Sequence, residues 1–281
     1  MKGTVNAITI GGVKLVIGEH AVDNIAAEFT AARLQKALIV TDPSIRRLGL
    51  CDAVVTAFEE AQLPYAIFDQ IPSDPPARVV AEGAAFCKAE ACDGVVGIGG
   101  GSVLDAAKCI KMMATHEQGA ILDYKKNGLS FTNPGLPLFS IPTTSGTGSE
   151  VTQYAVITDE ERHVKVTIGD VRLVSTVALL DPLMTKGLPP RITAATALDA
   201  MAHAIEGYTS NRVLYAKGST VFSDAYDLEA IRLISGSLRK AVLEGSDLEA
   251  RKQVMVGATM AGFVSQAGSG AAHGIGTALG A

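Results

Sequence analysis

Several features are scarce in this sequence of 281 residues. There is no block of lysine and arginine, and the formal net charge is −5. Nucleic-acid binding rests on neutralising phosphates, so this balance argues against it. No apolar run is long enough to span a bilayer as a helix, and no membrane association is expected. The apolar stretch near the N-terminus is too short to read as a signal peptide. The four cysteines, Cys51, Cys87, Cys92 and Cys109, form no C-x-x-C pair. They sit in apolar surroundings and read as reduced core residues of a cytoplasmic protein, not as a disulfide frame. Internal repeats and low-complexity tracts are also missing.

What is present is apolar. Hydrophobic residues make up 48% of the chain and charged ones 19%, with a mean hydropathy of +0.27. That suffices for a sizeable core and argues against disorder. The length suits two domains or one large one.

The first two thirds alternate between strand and helix signals. Residues 4–17 read as a hairpin about Gly11-Gly12. A helix follows over 20–34, then a fully apolar run over 36–42 ending in Asp42. Such a run suits a strand buried on both faces of a parallel sheet. Further strands are expected at 65–68, 93–98, 138–141 and near 178–181, with a strand pair over 151–158 and 163–168. Helices are expected at 48–61, up to about 90, and from the glycines at 99–101 to 113. The pattern is that of an open, mainly parallel α/β sheet. After Leu188 the strand signal stops and helices are expected at 190–207, 218–242 and 247–266. The reading is therefore a Rossmann-like α/β domain over 1–185 and an all-α domain over 186–281.

The stretch Leu188–Tyr208 stands out. Pro189 and Pro190 suit a helix start, and the helix is apolar all round, which predicts burial. Asp199 and His203 lie four residues apart on one face. A carboxylate buried there needs a partner or a metal. Asp–His at this spacing is either half of a metal site or a hydrogen-bonded pair that orders the core. Glu206, one turn on, either orients a ligand from behind or serves as a helix-end charge.

Two loops look built for phosphates. Gly99-Gly100-Gly101-Ser102 joins a buried strand to a helix N-terminus, where backbone N–H groups and the helix dipole favour an anion. Ser102 and Asp105 also have the spacing of a helix cap, which would need no ligand. Asp42 at a strand end suits a ribose, or serves as an N-cap or turn residue before Pro43. The run Thr143-Thr144-Ser145-Gly146-Thr147-Gly148-Ser149 offers hydroxyl and backbone donors, or is simply a polar turn.

Taken together and in order, these motifs resemble the iron-containing (group III) alcohol dehydrogenases. They are Gly99–Ser102 with Asp105, Ile141-Pro-Thr-Thr-Ser-Gly-Thr-Gly-Ser-Glu150, Asp181-Pro182, Leu188-Pro189, Asp199-Ala-Met-Ala-His203-Ala-Ile-Glu206 and Ala272-His273-Gly274. Within that family the match is to the lactaldehyde reductase and propanediol dehydrogenase type. The resemblance implies a dehydroquinate synthase-like fold and an NAD(H)-linked oxidoreductase acting on small alcohols, diols and aldehydes. It implies that Gly100, Gly101, Ser102 and Asp105 belong to the diphosphate turn, and that Asp42 faces the adenosine ribose. It places Thr143, Thr144, Thr147 and Lys165 in the cofactor cleft. It makes Asp199, His203 and His273 three of four ligands to Fe(II), or Zn(II) in some members, and suggests a homo-oligomer.

Two departures qualify the match. The family's fourth ligand is a histidine in a Pro-His-Gly context, and this chain stops before it. An apolar, glycine-rich ending suggests a truncated product with an incomplete helical domain. Many members also carry a proton-transfer histidine where this chain has Thr277; a hydroxyl is no base near neutral pH. The rivals are a two-His-one-carboxylate oxygenase, a zinc and NAD polyol dehydrogenase-like enzyme, and a non-catalytic NAD-binding remnant. The phosphate-type loops disfavour the first.

Overall fold

The computed structural model of the chain describes residues 5–210, 220–264 and 270–279. The strands are β1 (Asn6–Ile10), β2 (Val13–Ile17), β3 (Ala37–Val40), β4 (Tyr65–Phe68), β5 (Gly94–Gly99), β6 (Leu138–Pro142), β7 (Tyr154–Asp159), β8 (Val164–Gly169) and β9 (Val177–Leu180). The α-helices are α1 (Ile25–Ala31), α2 (Pro43–Arg47), α3 (Asp52–Glu60), α4 (Ala77–Ala89), α5 (Gly101–Met113), α6 (Asp123–Lys126), α7 (Pro190–Thr209), α8 (Val221–Leu243), α9 (Leu248–Val264) and α10 (Ala271–Leu279).

The main sheet has the order β1-β2-β9-β6-β5-β3-β4. All its neighbours pair parallel except β1 with β2. Every residue of β3, β5, β6 and β9 is buried. That is why these strands read as unbroken apolar runs: helices cover both faces. The chain moves outward from β3 to β4, then returns to place β5 on the other side of β3. This reversal opens a crevice at the carboxyl ends of β3 and β5, where ligands of such sheets bind. The Thr41 hydroxyl, donating to the Ile98 carbonyl at 2.8 Å, ties the two strand ends together.

The pair β7–β8 forms a separate antiparallel ribbon. It is held against α5 by the fully buried Lys108, whose Nζ donates to the Tyr154 carbonyl at 2.7 Å and to Thr152 Oγ1 at 2.9 Å. Burial pushes that ammonium pKa down, against the nearby Asp105.

Beyond Leu180 no further strand occurs among the described residues; α7, α8 and α9 pack on one another through small side chains. Ala197, Ala200, Ala204, Ala230, Ala258 and Ala261 are all buried. The helices dock on the sheet domain through the loop after β6. Gly148 has φ +61, and an added Cβ would sit 2.5 Å from Gly262 Cα on α9. Only glycine allows both the left-handed backbone and that approach. Beside it, Thr259 on α9 donates to Glu150 Oε1 at 2.7 Å.

Two expectations need correction. The helix α7 is not buried all round. Its buried stripe is Thr193, Ala197, Ala200, Ala204 and Gly207, whereas Leu198 is 57% exposed and Ile192 and Ile205 are also exposed. The bundle packs by close approach of small residues, so the larger aliphatics face outward. Accordingly Asp199 is not sealed from water: its side chain is 39% exposed. Second, the polar sequence context of His116 suggests a surface-like position, yet the residue is buried. It is clasped by Phe131 and Tyr124, lies 2.8 Å from the Met112 carbonyl through Nδ1, and accepts from Thr132 N–H through Nε2.

The described structure also holds helices that the sequence pattern did not announce: α2, α6 and α10. One buried acid is unusual. Asp227 on α8 is wholly buried and faces Gly207 on α7. Neither carboxylate oxygen has a hydrogen-bond partner among the described residues. Burial, reinforced by Asp224 one turn earlier, pushes its pKa up to about 7. Among the described residues, no helix is long and apolar enough to cross a membrane.

Candidate metal centre and cofactor cleft

The helix α7 starts at Pro190, whose missing N–H costs nothing in the first turn. Its body then places Asp199, His203 and Glu206 on one stripe, at i, i+4 and i+7. The short helix α10 brings His273 to the same place. His273 Nε2 lies 3.3 Å from Asp199 Oδ1 and 3.1 Å from His203 Nε2. The closest Asp199–His203 approach is 3.9 Å, and the two imidazole rings stack with centroids 3.8 Å apart. The ligand atoms of all three residues fall within 4.8 Å of one another. Two imidazole nitrogens at 3.1 Å need a proton or a cation between them.

Glu206 completes the group. Its Oε2 accepts from His273 Nδ1 at 2.5 Å, and its Oε1 accepts from the N–H groups of Ala272 at 2.8 Å and His273 at 3.3 Å. The hydrogen bond to Asp199 pushes the His273 pKa up to about 9, with Glu206 adding to it against burial. Burial pushes His203 down, although Asp199 pulls the other way. Burial opposes ionisation of Glu206, yet the Gly270 N–H and His273 hold its pKa below the usual range.

These side chains stand at one end of a cleft of about 1000 Å³. Gly101, Ser102, Asp105, Thr147 and Lys165 line the same cleft. At its other end the N-terminus of α5 opens with Gly100 as an extended N-cap and no side-chain cap. The capping role weighed for Ser102 and Asp105 is therefore not found. Asp105 instead accepts from Ser149 Oγ at 2.5 Å, from Val156 N–H at 2.9 Å and from Lys108 Nζ at 3.4 Å. It pins the hydroxyl loop and the β7 strand to the phosphate-type turn.

The other sequence candidates are not among the residues that line the cleft. Thr144 packs against Gly100. Thr143 is buried and its N–H donates to the Gly99 carbonyl at 3.0 Å. Asp42 caps α2 through Oδ1, accepting from Ser44 and Ile45 N–H groups at 2.7 and 3.0 Å. The side chain of Thr277 lies outside the described residues. Sequence reasoning missed Asp74, which has φ +53 and pairs with Lys165 at 2.8 Å across the cleft mouth. The signal was present in Asp74-Pro75-Pro76, a turn ahead of a helix. It also missed Lys108, a lysine one turn after Asp105 and buried, like Lys111, on the same helix.

Comparison with known proteins decides the family. Residues 12–182 match the iron-containing alcohol dehydrogenase model, and residues 193–281 match the C-terminal model of the Fe-containing alcohol dehydrogenase family.

The chain belongs to the iron-containing alcohol dehydrogenase family.

It is 41% identical to the choline dehydrogenase of Bacillus subtilis, over 94% of this chain and 64% of that protein. It is also 41% identical to the NAD-dependent methanol dehydrogenase of Bacillus methanolicus, over 92% of this chain and 66% of that protein. A crystal structure of a 1,3-propanediol oxidoreductase superposes with a TM-score of 0.85 at 35% identity, covering 96% of this chain and 68% of that one. The chain thus spans about two thirds of the length of the family members it matches. The fold is the one the motifs implied: a mainly parallel α/β domain followed by helices.

Proposed function

We propose that this protein is a metal-dependent, NAD(H)-linked alcohol dehydrogenase that also works in reverse as an aldehyde reductase. One observation carries the reading: a carboxylate and two imidazoles converge at one end of the cleft whose other end is the open N-terminus of α5.

The donor set fits a metal. A four-coordinate ion with bonds of about 2.0–2.1 Å sets its donor atoms about 3.3–3.4 Å apart. The observed separations of 3.1, 3.3 and 3.9 Å bracket that value. Asp199, His203 and His273 would hold Fe(II), and one carboxylate with two imidazoles suits it. Bound there, the ion supplies Lewis-acid polarisation of a substrate oxygen.

The cleft also fits a dinucleotide. The uncapped first turn of α5 offers backbone N–H groups to a diphosphate, as helix N-termini do. Lys165 from β8, paired with Asp74 at 2.8 Å, lines the same cleft and would reach a bound phosphate by exchanging that partner. Asp42 would face the adenosine ribose with Oδ2, its Oδ1 accepting from the Ser44 and Ile45 N–H groups at the start of α2. NAD supplies the hydride acceptor in alcohol oxidation, and NADH the donor in aldehyde reduction. The chain's own tasks are to align the reacting carbon between the two ends of the cleft and to keep water out. Ala202, Gly270 and Gly274 keep the wall beside the metal-binding side chains low and leave room for a small alcohol.

All four cysteines are buried free thiols, which supports a reducing, cytoplasmic setting. Exposed Ile8 on the edge strand β1, with Leu198 and Ile205 on α7, supports self-association into a homo-oligomer.

The test uses NADH absorbance at fixed Fe(II), with short primary alcohols, diols and their aldehydes. The expected result is turnover that a chelator abolishes and added Fe(II) restores. His203→Ala is expected to lose metal and turnover while NADH binding, read by fluorescence, persists. Turnover that survives metal removal would overturn the reading.

A further inference from the structure

The geometry points to Glu206 as a positioning residue that sets both the ring and the helix of the third metal-binding side chain. The inference rests on the metal reading above and deepens it.

Asp199 and His203 are fixed by sharing the long helix α7. His273 has no such support. It stands in α10, the third residue after the described Gly270, and its geometry depends on what holds that helix start. Glu206 holds it in two ways at once. Oε1 caps the first turn of α10 by accepting from Ala272 and His273 N–H groups. Oε2 accepts from Nδ1 of the same histidine at 2.5 Å. The backbone comes in close: a Cβ added to Gly270 would sit 2.9 Å from the Glu206 carboxyl carbon.

The chemistry follows from the tautomer. A neutral imidazole has one N–H and one lone pair. With Nδ1–H committed to Glu206, Nε2 is the nitrogen left to exchange its proton for a metal. That atom is the one facing Asp199 Oδ1 at 3.3 Å and His203 Nε2 at 3.1 Å. A carboxylate behind a metal-binding histidine fixes ring orientation and raises its basicity, an effect worth about 10–100-fold in metal affinity elsewhere. Here the same carboxylate lies on the α7 stripe that carries Asp199 and His203. One helix face therefore provides two donors directly and aims the third.

Two substitutions separate aiming from capping. Glu206→Gln keeps a side-chain oxygen for the backbone N–H groups of α10. Its amide N–H₂ would face Nδ1 and favour the tautomer with the proton on Nε2. Glu206→Ala removes both functions. Metal affinity is measured by chelator competition with Co(II) as the spectroscopic probe, on the whole protein. NADH binding and thermal melting serve as controls.

The expected result is a loss of Co(II) affinity of about 10–100-fold in both variants, with NADH affinity within about twofold of the unaltered protein. Glu206→Gln binding Co(II) as tightly as the unaltered protein would overturn the inference, because capping alone would then suffice. Should the unaltered protein bind no Co(II), the metal reading itself fails and this inference with it. Tight binding in the unaltered protein and in both variants would leave the metal reading standing and remove only the role given to Glu206.

Discussion

Asp227 sets a stability penalty that grows with pH. The side chain is wholly buried on α8 against Gly207 of α7, with neither oxygen hydrogen-bonded among the described residues. Its pKa stands at about 7, against 3.8 for an unperturbed aspartate. The sign follows from proton counting. Below about pH 4 the group is protonated in both folded and unfolded chains and contributes nothing. Between about pH 4 and 7 the unfolded chain releases its proton while the folded chain keeps it, so stability falls as pH rises. Above pH 7 both states are charged and the penalty is complete. A shift of about three units at about 1.4 kcal/mol each gives a ceiling of about 4 kcal/mol. Relaxation around the charge and water entry trim this to about 2–4 kcal/mol. Asp227→Asn keeps the shape and removes the charge. Urea unfolding followed by far-UV circular dichroism, from pH 4.5 to 8.5, should give curves that are close at the acid end. They should separate by that amount at the alkaline end, with the variant the more stable. Curves that run parallel across the range would refute the reasoning, since Asp227 would then titrate alike in both states.

Two other perturbations probe the joints of the molecule. Gly148→Ala forces a left-handed backbone on a residue with a Cβ and drives that Cβ into α9; a loss of about 2–4 kcal/mol is expected in a thermal melt, and a loss under about 0.5 kcal/mol would mean the loop shifts freely. Asp105→Asn leaves Lys108 buried without its charged neighbour and weakens the ties to Ser149 and Val156. Stability should fall by about 1–3 kcal/mol, and the NADH dissociation constant should rise in a fluorescence titration while metal content stays constant.

How far the chain could be read in advance depended on whether the signal was local. The parallel strands were legible because burial on both faces demands unbroken apolar runs, as in Ala37–Val40 and Gly94–Gly99. The long helices were legible from alanine-rich stretches with prolines ahead of α7. Short helices were not: α2 hangs on the Asp42 cap, and α10 is a nine-residue segment dense in glycine and alanine. Burial of α7 was misjudged for a related reason. Apolar periodicity says which residues avoid water, but not that Ala197, Ala200 and Ala204 let neighbouring helices come so close that Leu198 and Ile205 are left outside.

The site divides along the same line. Asp199 and His203 are four residues apart, so helix geometry alone brings them to one face. His273 lies seventy residues further on, and no spacing rule reaches it; the family resemblance named it, and the fold brings its Nε2 to 3.1 Å from His203. Asp105 shows the reverse case. Its position in the phosphate-type turn suggested a ligand contact or a cap, yet its oxygens are spent on Ser149, Val156 and Lys108. A carboxylate in a turn advertises negative charge and acceptor capacity, not the partner that will use them. Partners such as Ser149 and Val156, more than forty residues away, exist only once the ribbon β7–β8 has folded over α5. The chemistry of single residues was thus visible early, while their division between ligand and scaffold was set by tertiary contacts that no short segment encodes.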